Sequence, residues 1–222
     1  MISIRNVRKD FVKGDVKQLV LKNINLSIAD GDFVTIMGPS GGGKSTLLYL
    51  LALLDTPTTG DICIDNNNMG KLSEKAIEAF RGKNIGLIFQ NANLISALTP
   101  LENLIIAMKD KSSYREKKRK GESLLEKVGL QHKKNSNSAS LSGGEAQRVA
   151  VVRALVNNPR IILCDEPTGA LDSVNSKRVI ELLMNIRKET GCTLIIVTHD
   201  KDIGALGERK IILKDGEISE LS

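Results

Sequence analysis

The stretch Gly38-Pro39-Ser40-Gly41-Gly42-Gly43-Lys44-Ser45 follows an apolar run, Phe33-Val34-Thr35-Ile36-Met37, and leads into Thr46-Leu47-Leu48-Tyr49-Leu50-Leu51. A strand, a glycine-rich loop and a helix in that order, with the spacing G-x-x-x-x-G-K-[ST], make a phosphate-binding loop. Its glycines let backbone N–H groups turn inward on a phosphate, and the helix adds unpaired N–H groups and the positive end of its dipole. Gly38, Ser40, Gly41, Gly42, Gly43, Lys44, Ser45 and Thr46 are therefore expected to cradle a nucleoside triphosphate. Lys44 suits the outer phosphates, and the Ser45 hydroxyl suits Mg²⁺.

Working outward, residues 2–7 and 20–28 alternate like strands, with turn signals at Lys13-Gly14-Asp15 and Asp30-Gly31-Asp32. Together with 33–37 they read as two or three antiparallel strands. Thr56-Pro57-Thr58-Thr59-Gly60 turns the chain into a strand at 61–65, and 85–89 is another, ending at Gln90. From about Asn93 to Pro159 the spacing is helical and strongly charged. Strands resume at 161–164, 193–198 and 210–213, with a helix near 174–188 between the first two. Such alternation implies a parallel sheet whose ligand lies beyond the carboxyl ends of the strands. Gln90, Asp165-Glu166 and His199 fall at those ends.

A chain of 222 residues, 41% hydrophobic and 26% charged, has the composition of an ordinary soluble globular protein. With only 3% aromatic residues the core must be aliphatic, which suits parallel strands covered by helices. The longest apolar stretch, 47–54, is far short of the ~20 residues of a membrane span, and residues 1–7 hold no signal core. A cytosolic place is expected, with any membrane role through a partner. Cys63, Cys164 and Cys192 are odd in number and widely spaced, which excludes a disulfide framework or a C-x-x-C zinc site and leaves three small buried hydrophobes. The net charge is +6, and 109–134 holds ten Lys/Arg against four Asp/Glu. That stretch reads as a solvated face with a mobile loop, ahead of a lipid-facing patch or a nucleic-acid arm, so no nucleic-acid partner is expected.

The apolar strand ending at Asp165-Glu166 delivers two carboxylates to the sheet edge. Asp165 suits the magnesium shell, and Glu166, pointing elsewhere, suits polarising a water for in-line attack on the γ-phosphate. His199 is placed to bond that phosphate or the water, whereas His132, among lysines, reads as solvated. In Leu141-Ser142-Gly143-Gly144-Glu145, Ser142 and Glu145 form a capping box, and the two glycines leave the first-turn N–H groups uncovered. This is a second anion site. Phe11 in a polar stretch suits either stacking on a base or a half-buried place in the core, and both remain open.

In this order the set of Gly38–Ser45, Gln90, Leu141–Glu145, Asp165-Glu166, Ala170-Leu171-Asp172 and His199 resembles the nucleotide-binding subunit of ATP-binding cassette (ABC) transporters. The segments LDTPTTGDICID (54–65), IGLIFQNANLISALTPLENL (85–104) and GERKIILKDGEI (207–218) resemble its MacB/LolD branch. The resemblance implies an α/β fold: a P-loop NTPase (RecA-like) core with a mostly parallel sheet, an N-terminal antiparallel β subdomain and an inserted helical subdomain. The whole of 1–222 is then one ATPase domain, with the core in 1–92 and 158–222 and the helical part in 93–157. Two copies stack head to tail, with ATP between the phosphate loop of one and Ser142, Gly143, Gly144 and Glu145 of the other. In this scheme Lys44, Gln90, Glu166 and His199 are catalytic, Ser45, Gln90 and Asp165 hold Mg²⁺, and Phe11 stacks on adenine. Gln90 also couples to a MacB/FtsX-like permease, Asp172 communicates across the dimer, and the helical part touches that permease at the inner face of the membrane. The family's commoner signature has Gln where this chain has Glu145. No appended regulatory domain is expected after Ser222. The competing expectation, a soluble ABC ATPase, commonly brings two cassettes, a coiled-coil insertion or a zinc hook, which this sequence lacks.

Overall fold

The computed structural model describes residues 1–14 and 16–221. Strands β1 (Ile2–Lys13) and β2 (Val16–Ile28) pair antiparallel and are longer than expected, because bulges between Ile4 and Val7 and between Val7 and Lys9 interrupt the alternation that reveals a strand. Of the turn expected at 13–15, Asp15 lies outside the described residues. The next strand, β3 (Phe33–Met37), does not join this antiparallel pair. It runs parallel to later segments instead, with Val34 paired to Ile195 on one side and to Arg209 on the other. Phe33, Val34, Thr35 and Ile36 are all buried, the mark of a strand covered on both faces.

The chain continues through α1 (Lys44–Leu51), β4 (Thr59–Ile64), β5 (Asn67–Asn68), α2 (Glu74–Asn84) and β6 (Ile85–Ile88). Then come α3 (Pro100–Ala107), α4 (Tyr114–Lys127) and α5 (Gly143–Ala154), with no strand among the described residues between β6 and β7 (Ile161–Asp165). It closes with α6 (Ser173–Thr190), β8 (Thr193–Val197), α7 (Lys201–Ala205), β9 (Arg209–Lys214) and β10 (Glu217–Leu221). Two sheets result, of order β2-β1-β4-β5 and β10-β9-β3-β8-β7-β6. The first is antiparallel; the second is parallel except for β10, an edge strand beyond the last one expected at 210–213.

Helix α1 is buried between the sheets. Leu47, Leu48, Leu50 and Leu51 meet Ile2, Ile4, Leu21 and Ile24 of the smaller sheet and Val34, Ile36, Leu163 and Ile195 of the larger. The far face of the larger sheet packs Ile162, Cys164, Leu194 and Ile196 against Val179, Leu183 and Ile186 of α6. A third cluster, including Leu104, Leu125, Val149 and Val152, joins α3, α4 and α5. Cys164 and Cys192 are buried as expected, but Cys63 is only half-buried. On β4 it alternates with Ile62 and Ile64, which take the core side and leave Cys63 the other. Among the described residues no helix is long and apolar enough to cross a membrane.

Candidate functional site

The loop between β3 and α1 is shaped by close packing as well as by ligand chemistry. Gly38 has φ 154°, and a Cβ there would lie 1.9 Å from the Leu213 carbonyl oxygen, so the loop starts hard against β9. Gly43, at φ 95°, precedes α1 where a Cβ would come within 2.9 Å of Leu21. No side chain caps α1 and no acidic residue stands in its first turn, which leaves those N–H groups for an anion. Lys44, only 7% exposed, donates from Nζ to the carbonyls of Gly38 (2.9 Å) and Pro39 (3.0 Å), which holds its ammonium over the loop.

Ser45 Oγ donates to Asp165 Oδ1 at 3.0 Å, joining the start of α1 to the end of β7. Burial pushes the Asp165 carboxyl above its usual range and the Glu166 charge adds to this, while the hydrogen bond from Ser45 opposes it. A hydroxyl and a carboxylate are the hard oxygen donors that Mg²⁺ takes, and Mg²⁺ usually completes its shell with substrate phosphates and water. The pair fits that ion.

Glu166 has φ 47°, a left-handed backbone unusual for glutamate, which swings its side chain out of line with the strand. Its Oε1 lies 2.9 Å from His199 Nδ1, and its Oε2 accepts from the His199 backbone N–H at 3.3 Å. The two residues read separately in the sequence are thus one hydrogen-bonded pair, with the His199 side chain 66% exposed. Gln90 is exposed, and its amide nitrogen would sit 2.9 Å from a Cβ on Gly169, so it lies along the loop that follows Glu166. Phe11 is 44% exposed on β1, with the Lys9 ammonium 5.0 Å from its ring centroid.

At the start of α5, Ser142 Oγ accepts from Glu145 N (3.3 Å) and Glu145 Oε2 accepts from Ser142 N (2.8 Å). The box turns the carboxylate back on its own helix, and the Ser142 N–H holds it below the usual carboxylate range. The neighbours of this turn are Lys133, Leu171 and Asn175, not the phosphate loop. A Cβ on Gly144 would lie 2.4 Å from Asn175, whose N–H and side chain are both bonded to Asp172. Sequence reasoning missed Gln147, whose Nε2 donates to Phe89 O (2.8 Å) and Pro167 O (2.9 Å). Its signal was a polar residue two positions before the buried run Val149-Ala150-Val151-Val152.

A family profile described as ABC transporter matches residues 21–169. An uncharacterized ABC transporter ATP-binding protein of Methanocaldococcus jannaschii is 49% identical, covering 100% of this chain and 99% of that protein. The lipoprotein-releasing system ATP-binding protein LolD of Leptospira interrogans is 42% identical over 99% of this chain and 91% of its own length. The macrolide export ATP-binding/permease protein MacB of Bdellovibrio bacteriovorus is 45% identical over 98% of this chain, which spans 33% of it. A solved dimeric post-hydrolysis state of the cassette MJ0796, bound to ADP and Pi, is similar at a TM-score of 0.91 and 42% identity, covering 100% of this chain and 99% of that one. Full-length similarity of sequence and fold, added to the geometry of the loop, means that this chain belongs to the ABC transporter family, as an ATP-binding, ATP-hydrolysing subunit like those of its MacB/LolD branch.

Proposed function

We propose that two copies of this chain close head to tail around two ATP molecules and that opening and closing drive a MacB/FtsX-like permease. The observation that carries this is the separation of two anion sites: the loop at 38–46, backed by Asp165, and the α5 terminus, where Ser142 and Gly143 are exposed and Gly144 is buried against Asn175. A second copy supplies each half with what it lacks. In this scheme Lys44 and the loop N–H groups bind the outer phosphates, and Phe11 stacks on the base. Ser45 and Asp165, with Gln90, would hold Mg²⁺, which when bound neutralises charge on the phosphates. Glu166 accepts a proton from the attacking water, while His199, bonded to it, fixes its direction. The helical part, 93–157, would face the permease and keep the subunit at the inner membrane surface. The test is to purify tagged protein from solubilised membranes and identify what accompanies it. Recovery of the chain alone, from the soluble fraction, would favour a soluble ABC ATPase.

Because Gln also serves the capping box, Glu145→Gln is expected to keep ATP turnover within about twofold at neutral pH; a loss beyond tenfold, ~1.4 kcal/mol of barrier, would show that the charge is needed. A carboxyl held low in the folded state stabilises above its unfolded pKa, and that contribution is lost as pH falls through the folded value. Melting curves taken across that acid window should therefore fall less for the variant than for wild type. The lysines of α4 are expected to give no tight, steeply salt-dependent binding to nonspecific DNA or RNA, checked by titration at two salt concentrations.

A further inference from the structure

Gln147 is 1% exposed, and the two carbonyls that its amide binds flank the catalytic machinery. Phe89 immediately precedes Gln90, and Pro167 immediately follows Glu166. Farther along the same helix, Arg153 donates to Asn93 O at 2.7 Å and to Ala92 O at 2.8 Å. Helix α5 therefore holds the Gln90 loop on both sides and the Glu166 turn at one point. Its first turn also meets Asn175 closely at Gly144. A side-chain amide has two N–H donors in one plane, so it ties two carbonyls at fixed spacing with no charge to bury.

Under the head-to-tail arrangement proposed above, the α5 terminus of one chain touches one ATP while Gln90 and Glu166 of that chain serve the other. A helix moves as a stiff rod, so drawing its terminus toward an anion displaces whatever is bonded along it. We infer that Gln147 is a positioning residue that couples the two ATP sites, carrying engagement of the 142–144 terminus at one site to Gln90 and Glu166 at the other. The link is direct. No other side chain in the site bonds to both the residue before Gln90 and the residue after Glu166 among the described hydrogen bonds.

The test is the ATP dependence of steady-state turnover. Two coupled sites give a Hill coefficient above 1, with 2 as the ceiling. Gln147→Met fills similar space without donors; it should lower the coefficient below the wild-type value and lower kcat about tenfold, with KM for ATP changed less than about twofold. Val149→Ala, a core truncation on the same helix, should lower the melting temperature and leave the coefficient at the wild-type value. If Gln147→Met does not fold, Gln147→Asn, with the amide one methylene short, gives the same readouts. A wild-type coefficient of 1, an unchanged coefficient in the Gln147 variant, or an equal fall in Val149→Ala would each overturn the inference. Failure of the sandwich itself shows separately, as an ATP-bound Glu166→Gln protein that stays monomeric.

Discussion

Glu166→Gln is expected to bind ATP like wild type, to cleave it about 10³-fold more slowly, and to sediment as a dimer only while ATP is present. The size of the loss is that of a removed general base. The substitution keeps a carbonyl oxygen where Oε1 accepts from His199, so the local hydrogen bond survives while the proton acceptor is gone. ATP bridging two surfaces stabilises the dimer by mass action, and the empty and ADP states lack that gain. Sedimentation or light scattering, with Mg²⁺ limited to suppress residual turnover, reads the outcome. A variant that binds ATP and remains monomeric at tens of micromolar, a range chosen to favour a weak dimer, would remove the sandwich from the isolated subunit and make dimerisation depend on the permease.

Lys44→Ala should lower ATP turnover at least about a hundredfold, the scale of removing one positioned charge-stabilising donor. The protein should still fold. The carbonyls of Gly38 and Pro39, which the ammonium now binds, belong to a loop whose Pro39, Ser40 and Gly41 are exposed, so water can replace the lost donor. Activity assays paired with thermal melts separate the two effects. Wild-type turnover in the folded variant would mean that Lys44 does not hold the outer phosphates.

What the sequence showed well was local. The phosphate loop and the Ser142–Glu145 box each close within eight residues, and the strands ending at Asp165 and Val197 are continuous apolar runs. What it hid depends on distant partners. β3 looked like a third antiparallel strand because its neighbour in sequence is β2, while its neighbours in space are β8 and β9. β1 was cut short because its bulges break the alternation. α2 went unread because its apolar stripe, Ala76, Ile77 and Phe80, is short and only half-buried. The Glu166–His199 pair and the two anchors of Gln147 join segments far apart in the chain, and no spacing rule reaches that far.

The central place of β3 also sets the order in which the protein can be built. Its hydrogen-bonding neighbours are residues 194–197 and 209–212, and the entry to the loop leans on Leu213. As the chain leaves the ribosome, residues 38–45 emerge early and wait for almost the whole remainder before the strands that flank β3 are made. A nascent chain stalled before β9 therefore carries the complete motif without the strand on which its entry leans. Until β8 and β9 arrive, α1 lacks the cover of Ile195, Val197, Ile211 and Leu213, and apolar surface left open in that interval favours aggregation.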